Sequence, residues 1–571
     1  MSDDSSGLDR RKFLTLGAGA AAGAGAVAFG LTGPFATAAA QTTVRARQVF
    51  AHGVASGDPH PRSVVLWSRV TPTPQSTPGS GQGPQVEVTW QMARDREFRR
   101  IVRRGTVRTG SSRDHTVKLE ATGLEPAVTY FYRFRFDGVT SRIGRTRTAP
   151  APHATPRRLR FGVVSCSNYE AGYFSAYRHL ARRGDLDAVL HLGDYLYEYG
   201  VGRYGYGFEN RTIRPHAPRH EMVSLRDYRM RHGQYKTDPD LQALHASAPF
   251  IVTWDDHESS NDAWRVGAEN HQPATEGHWR TRRARAHRAY DEWMPVRMNG
   301  TAESGDGTRL FRQLRFGRLA DLSMLDLRTY RSKQVDNQLG GIDDPDRTIT
   351  GDRQLRWLTD QLTAQRAQWK LVGNPVMIAP VVFPPLPQEV SRPLADVTGL
   401  LPPDGVPYNV DQWDGYTADR RELFAVIADN GVQDSVFLTG DIHSAWACDL
   451  PLDAGVYPAG RTAGTEFVCT SVTSNNLDDL TNSPPRTTSL VVEAGIQANN
   501  RHVRYLDFDS HGYSVLDVTP RRVQMDYYVI SDRADPRATS SWSASWATVS
   551  GSQRVRPVDH PVDRPVDRAV G

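Results

Sequence analysis

Residues 186–197, LDAVLHLGDYLY, decide the fold of this chain. The run is almost wholly apolar up to Leu192 and then turns polar, with Asp194 and, three residues later, Tyr197. A short apolar run that is bounded by glycine is typical of a buried strand in an α/β sheet. Polar side chains directly after such strands are where α/β folds build their sites. The stretch therefore predicts an α/β fold with a functional site at this strand end.

The same arrangement recurs at three further strand-like runs. Cys166 ends the run LRFGVVSC, Asp256 and His257 follow APFIVTWD, and Asp441 and His443 follow DSVFLTG. Segments with helical spacing lie around these runs, at residues 173–182, 353–368 and 420–430. Because such strands end at one edge of a sheet, we expect these side chains to lie close together.

The side chains at these strand ends suit two kinds of cation. Carboxylates suit hard cations such as Ca²⁺ and Mg²⁺, whereas thiolate, phenolate and imidazole favour a transition metal such as iron or zinc. The carboxylate of Asp194 has two oxygens and can bridge two ions. The predicted ligands are Cys166, Tyr197 and His443 for a transition metal, Asp256 and Asp441 for an oxygen-rich site, and Asp194 for both.

Such a pair of cations indicates hydrolysis of a phosphate ester. Two cations about 3.5 to 4 Å apart can clamp a phosphate and produce hydroxide from water near neutral pH. The leaving alkoxide then needs a proton. His257, beside the predicted ligand Asp256, is therefore the predicted catalytic acid.

Each of the four segments has an ordinary structural explanation when it is taken alone. A Gly-Asp pair after a strand is commonly a turn, and a buried cysteine such as Cys166 is commonly inert packing. Tyr197 alone could be a core aromatic residue, and the Asp-Asp-His run could be a solvated loop. Four such segments, each after an apolar strand, favour the metal site over these explanations.

These motifs resemble the metallophosphoesterase superfamily, whose pattern runs D-x-H, G-D-x-x, G-N-H-E and G-H-x-H. More specifically, they resemble the alkaline phosphatase D (PhoD-like) family, which has a Cys-containing strand end, W-D-D-H-E and G-D-I-H at these positions. The resemblance extends from GVASGDPHPRSVVLWSRV near the start, through YRMRHGQYKTDPDLQALHASAPFIVTWDDHE, to HGYSVLDV near the end.

The resemblance implies a fold, a metal content and a role for individual residues. The implied fold is a two-sheet α/β sandwich flanked by helices and preceded by a small immunoglobulin/fibronectin-like β-sandwich domain. The implied ions are Fe³⁺, held by Cys166, Asp194, Tyr197 and His443, and Ca²⁺, held by Asp194, Asp256 and Asp441. His257 takes the position of the acid histidine. Asn374 lies where related phosphoesterases place a further ligand, and Asp255 and Asn261 are candidates for outer-shell positions or for ligands of a second Ca²⁺.

The composition changes along the chain predict four segments. A Pro/Ala-rich stretch, residues 148–156, is the clearest boundary, because short alternating strands precede it and buried strands follow it. The predicted segments are a signal peptide at 1–40, a β-sandwich domain at 41–148, the catalytic domain at 157–532 and a flexible polar tail at 533–571.

The first forty residues predict export through the twin-arginine machinery. Arg10 and Arg11 begin a twin-arginine pattern, a weakly apolar Gly/Ala-rich run follows, and small residues before Ala40 offer a cleavage site. A membrane anchor is the alternative, but glycines and Pro34 interrupt the run. Elsewhere no run reaches the roughly 18 to 20 apolar residues that cross a bilayer. The sequence thus predicts a secreted protein without a transmembrane segment after signal cleavage.

Charge and cysteine content add two narrower expectations. The formal net charge of +5 comes from scattered arginines and forms no basic stripe, which argues against a specific nucleic-acid complex. The chain has three cysteines, so one must stay unpaired. Cys448 and Cys469 lie in strand-like runs and could form a disulfide in an oxidising compartment, and this alternative stays open.

The sequence is compatible with three functions. The leading hypothesis is a secreted phosphatase or phosphodiesterase that releases phosphate for scavenging. Cleavage of phospholipid head groups, as by a phospholipase D, is the alternative within enzymes. A cell-surface binding protein on an inactive enzyme scaffold is the third, but it predicts broken metal motifs and here every segment is intact.

Overall fold

A computed structural model describes residues 48–303, 309–336, 340–398, 402 and 404–562 of the chain. The predicted signal peptide, residues 1–40, lies outside the described residues. Within those residues, no helix is both long enough and apolar enough to cross a membrane.

Strands dominate the structure. In the N-terminal part, up to the Pro/Ala-rich stretch, they are β1 Val54–His60, β2 Ser63–Arg69, β3 Val86–Ala93, β4 Ile101–Thr109, β5 Thr116–Thr122, β6 Thr129–Phe136, β7 Val139–Thr140 and β8 Gly144–Arg147. The next are β9 Leu159–Val164, β10 Ala188–Leu192, β11 Phe250–Thr253, β12 Arg312–Phe316, β13 Ala320–Met324, β14 Trp369–Asn374, β15 Val382–Phe383 and β16 Val406–Pro407. The last are β17 Ser435–Thr439, β18 Ala445–Pro451, β19 Thr462–Val468, β20 Val503–Asp507, β21 Gly512–Val518, β22 Arg522–Ile530, β23 Ser540–Val549 and β24 Val555–Val558.

Helices lie between the later strands. They are α1 Ser175–Ala181, α2 Leu225–Tyr235, α3 Pro239–Ser247, α4 Pro273–Glu276, α5 Trp279–Trp293, α6 Asp352–Thr363, α7 Gln388–Thr398, α8 Thr417–Asp429, α9 Leu477–Thr481 and α10 Thr488–Asn499. Three single 3₁₀ turns add to them, at Ser111–Arg113, Trp413–Gly415 and Ala454–Val456.

Two large sheets pack face to face. The first has ten strands in the order β24-β23-β22-β21-β9-β10-β11-β1-β2-β5, and the second has seven in the order β12-β13-β14-β17-β19-β18-β20. One apolar core lies between them and contains side chains of both sheets, among them Phe161, Leu190, Leu371 and Phe467. Further cores lie on the outer faces, where helices cover the sheets. The prediction of a two-sheet α/β sandwich flanked by helices is confirmed.

The N-terminal β-sandwich is fused to the larger sandwich. Its own sheet contains β3, β4, β6, β7 and β8, and it shares an apolar core with β1, β2 and β5. Those three strands continue the ten-stranded sheet, because β1 pairs in parallel with β11 at Gly57 and Phe250. A buried ion pair between Lys118 and Asp291, at 2.6 Å, joins the two parts further.

The prediction of a flexible tail over residues 533–571 is wrong for most of that segment. Strand β23 pairs antiparallel with β22, and β24 pairs with β23, so the tail extends the first sheet. Val555 is buried in the core between the sheets, and Ala544 and Trp546 pack against that core. The strand was missed because serines lower the hydrophobicity of β23 and because the alternating pattern of SWSASWATV favours a strand only weakly. Residues 563–571 lie outside the described part.

The three cysteines are free thiols. Cys448 lies on β18, and Cys469 directly follows β19, the strand that pairs with β18. The two residues therefore do come from neighbouring strands. Their side chains nevertheless enter different cores on opposite faces of the second sheet. Successive side chains of a strand alternate between faces, and neighbouring strands therefore need not bring two cysteines together.

Candidate metal centre

The polar strand ends of both sheets meet at one site. Strands β9, β10 and β11 are parallel neighbours, so Cys166, Asp194 and Asp256 follow them at the same edge of the first sheet. Asp441 and His443 follow β17, a parallel strand of the second sheet. These five of the six predicted ligands therefore lie after the carboxyl ends of their strands, where the two sheets face each other.

Four of these residues have an unusual backbone. The φ angles of Cys166, Asp194, Asp441 and His443 are 58°, 52°, 63° and 55°. Residues other than glycine rarely adopt this left-handed backbone conformation, and those that do cluster at functional sites. At each position the chain turns sharply as it leaves its strand.

Among the described residues, the ligand atoms form three overlapping clusters. In each cluster, ligand atoms of three residues lie within 4.8 Å of one another. The clusters are Cys166 with Asp194 and His443, Asp194 with Asp256 and His257, and Asp194 with Asp255 and Asp441. Asp194 belongs to all three. The predicted calcium ligands are thus divided between two clusters that share Asp194.

Tyr197 completes the first cluster. Its hydroxyl donates to Asp194 Oδ2 over 2.9 Å and lies 3.3 Å from His443 Nε2. Ser474 Oγ donates to the same hydroxyl at 2.6 Å. The structure therefore brings together the thiol, phenol, imidazole and carboxylate that the sequence analysis assigned to one ion.

The site fits a cation. Asp194 Oδ1 is buried and has no hydrogen-bond partner in the described part of the chain. A buried carboxylate oxygen without a partner is costly, and burial here raises the pKa of Asp194 well above its usual value. Burial likewise raises the pKa of the Cys166 thiol and of the Tyr197 phenol. A bound cation reverses this, because it favours the deprotonated forms.

His257 belongs to the second cluster, and one of its ring nitrogens contacts a carboxylate. Its Nδ1 is 2.8 Å from Oε2 of the buried Glu198. Its ring lies against Tyr197, with the ring centroids 4.2 Å apart. Burial acts to lower the pKa of His257, but the nearby charges of Asp256, Asp194 and Glu198 raise it well above its usual value.

Comparisons with known proteins identify the family of the chain. A family profile described as PhoD-like phosphatase matches residues 161–527, and one described as PhoD-like phosphatase, N-terminal domain, matches residues 36–150. The chain belongs to the PhoD-like phosphatase family. It is a phosphoric ester hydrolase, as the sequence analysis predicted.

Two relatives of this PhoD-like phosphatase illustrate the similarity. Alkaline phosphatase D of Bacillus subtilis (strain 168) is 37% identical in an alignment 552 residues long, and the alignment covers 94% of this chain and 87% of that protein. A solved structure described as "Structure of PhoD" superposes with a TM-score of 0.78 at 35% identity, over 90% of this chain and 93% of that one.

Sequence reasoning about the PhoD-like motifs did not identify the residues that hold the ligands in place. Glu258 accepts hydrogen bonds from the backbone N–H groups of Asp194, Tyr195 and Asp255, at 3.2, 2.6 and 2.9 Å. It thereby ties the end of β10 to the end of β11. Glu258 is the last residue of the W-D-D-H-E motif, so its place in the motif was the available signal.

Arg328 is a second residue that the sequence did not single out. Its guanidinium donates to both oxygens of Asp255, at 2.7 and 2.9 Å, and to both oxygens of Asp411, at 2.9 Å each. It also approaches Asp256 to 3.8 Å and Asp441 to 4.0 Å. Nothing distinguishes it in the sequence from the many other arginines.

The looser ligand candidates have other partners. The amide of Asn374 donates to the Val376 carbonyl at 2.6 Å and accepts from Trp413 Nε1 at 3.0 Å, so its contacts here are structural. The side chain of Asn261 donates to Glu269 at 3.2 Å. Asp255 is neutralised by Arg328, although one of its oxygens still lies within the third cluster.

Proposed function

We propose that this PhoD-like phosphatase uses metal ions that share Asp194 as a bridging ligand. The observation that carries the proposal is that Asp194 belongs to all three clusters and keeps a buried oxygen, Oδ1, without a partner in the described part of the chain. A carboxylate in that position is suited to two cations at once. The metal-dependent reaction we propose is hydrolysis of phosphate esters.

The donor atoms support two different ions. A thiol, a phenol and an imidazole beside one carboxylate favour a transition metal, whereas carboxylates alone favour a hard cation. We assign Fe³⁺ to Cys166, Asp194, Tyr197 and His443, and Ca²⁺ to Asp194, Asp256 and Asp441. When bound, the ions would hold the phosphoryl group and lower the pKa of the attacking water.

His257 has the proposed role of general acid. A water oxygen attacks phosphorus, and the bond from phosphorus to the alcohol oxygen breaks with its electron pair left on that oxygen. His257 donates a proton to this leaving oxygen, so that the alcohol departs neutral, and the proton that the attacking water loses to solvent is matched by one that His257 takes up again from solvent. The position of the imidazole within 4.8 Å of ligand atoms of Asp194 and Asp256 supports this role.

One experiment tests both the metals and the substrate class. The purified protein would be analysed for iron and calcium and assayed on a phosphomonoester, a bis-ester and phosphatidylcholine. We expect both metals and activity on at least one of the first two esters. Preferential cleavage of phosphatidylcholine would favour the phospholipase D alternative, and inactivity on all three esters would refute the proposed reaction.

We further propose that the enzyme is exported through the twin-arginine machinery and releases phosphate outside the cytoplasm. The support is the Arg10-Arg11 pattern and the small residues before Ala40. Replacing both arginines by lysine would be expected to leave active enzyme inside the cells. Efficient export of that variant would contradict the assignment, and sequencing the N-terminus of the exported protein would locate the cleavage site.

A further inference from the structure

A second acidic residue lies directly behind the proposed proton donor. Glu198 Oε2 is 2.8 Å from His257 Nδ1, and the Glu198 side chain is fully buried. Glu198 follows the predicted ligand Tyr197 by one residue but belongs to none of the three metal clusters. Its carboxylate therefore faces the histidine and not the proposed cations.

The carboxylate of Glu198 is itself held in place. Its other oxygen, Oε1, accepts from the backbone N–H of Asn261 at 2.8 Å and from the side-chain amide of Asn270 at 3.0 Å. Both oxygens are thus engaged, and the side chain cannot turn away from His257 without breaking several buried hydrogen bonds. Breaking such bonds is costly, because each leaves a buried polar group unsatisfied.

The imidazole also packs against two tilted aromatic rings. Its ring centroid lies 4.2 Å from that of Tyr197 and 5.4 Å from that of Tyr199. A histidine whose Nδ1 donates to a carboxylate has a fixed ring orientation and presents Nε2 on the opposite side. Holding a catalytic group in the orientation in which it meets a reacting atom increases the rate of the reaction.

We propose that Glu198 is a positioning residue that holds the His257 imidazole so that Nε2 delivers its proton to the leaving oxygen of the ester. The inference rests on the proposed role of His257 as general acid. Glu198 itself touches neither the ester nor the reacting atoms. Its contribution should therefore depend on how much the leaving group needs a proton.

That dependence separates the proposal from a purely structural role. A 4-nitrophenolate leaving group is weakly basic and departs without a proton, whereas ethoxide needs one. Loss of general-acid catalysis costs about 10²-fold or more where the proton is needed. A merely structural defect would lower the rates for both leaving groups together.

The experiment compares two esters that differ only in the leaving alcohol, 4-nitrophenol against ethanol. We expect Glu198→Gln to lower kcat/KM about 10²-fold for the ethyl ester and less than about threefold for the nitrophenyl ester. In a His257→Ala background, Glu198→Gln should cause no further loss, because the two residues act as a unit. Equal losses on both esters, or additive losses in the double variant, would overturn the proposal.

Two further variants control the experiment. Glu170→Gln is the matched control, since Glu170 is also fully buried, accepts from Gly202 N–H at 2.9 Å and lies 3.8 Å from a histidine, His216. We expect no selective loss on the ethyl ester from it, and a selective loss would contradict the proposal. If Glu198→Gln does not fold, Asn270→Ala should give a smaller loss with the same selectivity for the ethyl ester, and an equal loss on both esters would refute it.

The two proposals can fail separately. If His257→Ala lowers the rates for both esters equally, His257 is not the general acid and the proposed function is wrong in that respect. If His257→Ala is selective for the ethyl ester and Glu198→Gln is not, the failure belongs to Glu198 alone.

Discussion

The hydroxyl of Tyr197 donates to Asp194 Oδ2 over 2.9 Å, so the phenol and the central carboxylate of the site are in direct contact. The contact joins the start and the end of the short G-D-Y-L-Y segment after β10. It places a phenol oxygen and a carboxylate oxygen at the same proposed ion.

Replacing Asp194 by asparagine should abolish activity and metal binding together. The amide removes the negative charge that we propose the cations share, so we expect kcat/KM to fall by roughly 10³-fold or more. Asp526→Asn is a matched control, because Asp526 is a buried carboxylate on β22 that accepts from Ser545. Retained metal content in Asp194→Asn would contradict the bridging role.

Replacing Tyr197 by phenylalanine should change the colour of the enzyme. Ferric iron bound to a phenolate or thiolate absorbs visible light by charge transfer, so the variant should lose or shift that band. The absorption spectrum and the iron content of wild type, Tyr197→Phe and Cys166→Ser would be compared. A colourless wild-type enzyme that is fully active without iron would refute the roles of both residues.

Removing calcium should inactivate the enzyme reversibly. Carboxylate oxygens bind Ca²⁺ through exchangeable bonds, so a calcium-selective chelator should abolish hydrolysis and added Ca²⁺ should restore it. Activity before and after chelation and after Ca²⁺ addition is the measurement. Full activity in a calcium-free preparation would exclude Ca²⁺ as the second cation.

Replacing Arg328 by glutamine should destabilise the protein. Arg328 is nearly fully buried and pairs with both Asp255 and Asp411, so its loss leaves buried acids without a counter-charge. The expected loss is about 3 kcal/mol in the free energy of unfolding, measured by denaturant titration. The double variant with Asp255→Asn should recover part of it, and no recovery would argue against the ion pair as the cause.

Replacing Lys236 by methionine should stabilise the protein in a pH-dependent way. Lys236 Nζ donates to Tyr195 at 2.8 Å and contacts His245 at 3.0 Å, and burial lowers the pKa of this lysine well below its usual value. The unfolded chain therefore takes up a proton first as the pH falls below the ordinary lysine pKa, which lowers the stability of the wild type.

The gain from Lys236→Met in the thermal midpoint should accordingly be larger at pH 7 than at pH 10. The hydrogen bond between Tyr195 and His245, at 2.8 Å, can persist in the variant, so no polar group need be left unsatisfied. A gain that is equal at the two pH values would show that the charge of the lysine is not the cause.

Ending the chain at residue 538 should destabilise the fold. The truncation removes β23 and β24 and exposes the edge of β22, while Arg533 and its buried contacts remain. A chain that ends at residue 562, which keeps every described residue, is the comparison for the effect of the two strands. Equal midpoints for both truncations would restore the prediction of a dispensable tail.

The sequence by itself determined the fold class and the strand ends that carry the candidate ligands. The apolar runs that lead to Asp194, Asp256 and Asp441 can be recognised without a structure, because each run and the polar residues after it lie in one short chain segment. The same local signal located Cys166 and His443. Their convergence followed from the rule that parallel strands end at a common edge.

Only the tertiary structure decided which side chains support those residues. Glu198, Arg328 and Glu258 act through contacts with residues far along the chain or on another strand, and charged side chains of these types occur throughout the sequence. The fate of Cys448 and Cys469 depended in the same way on which face of a sheet each one enters. Strand β23 was missed because its pattern is weak in isolation and is stabilised by pairing with β22, a long-range contact. Such contacts are properties of the folded chain, and no local pattern encodes them.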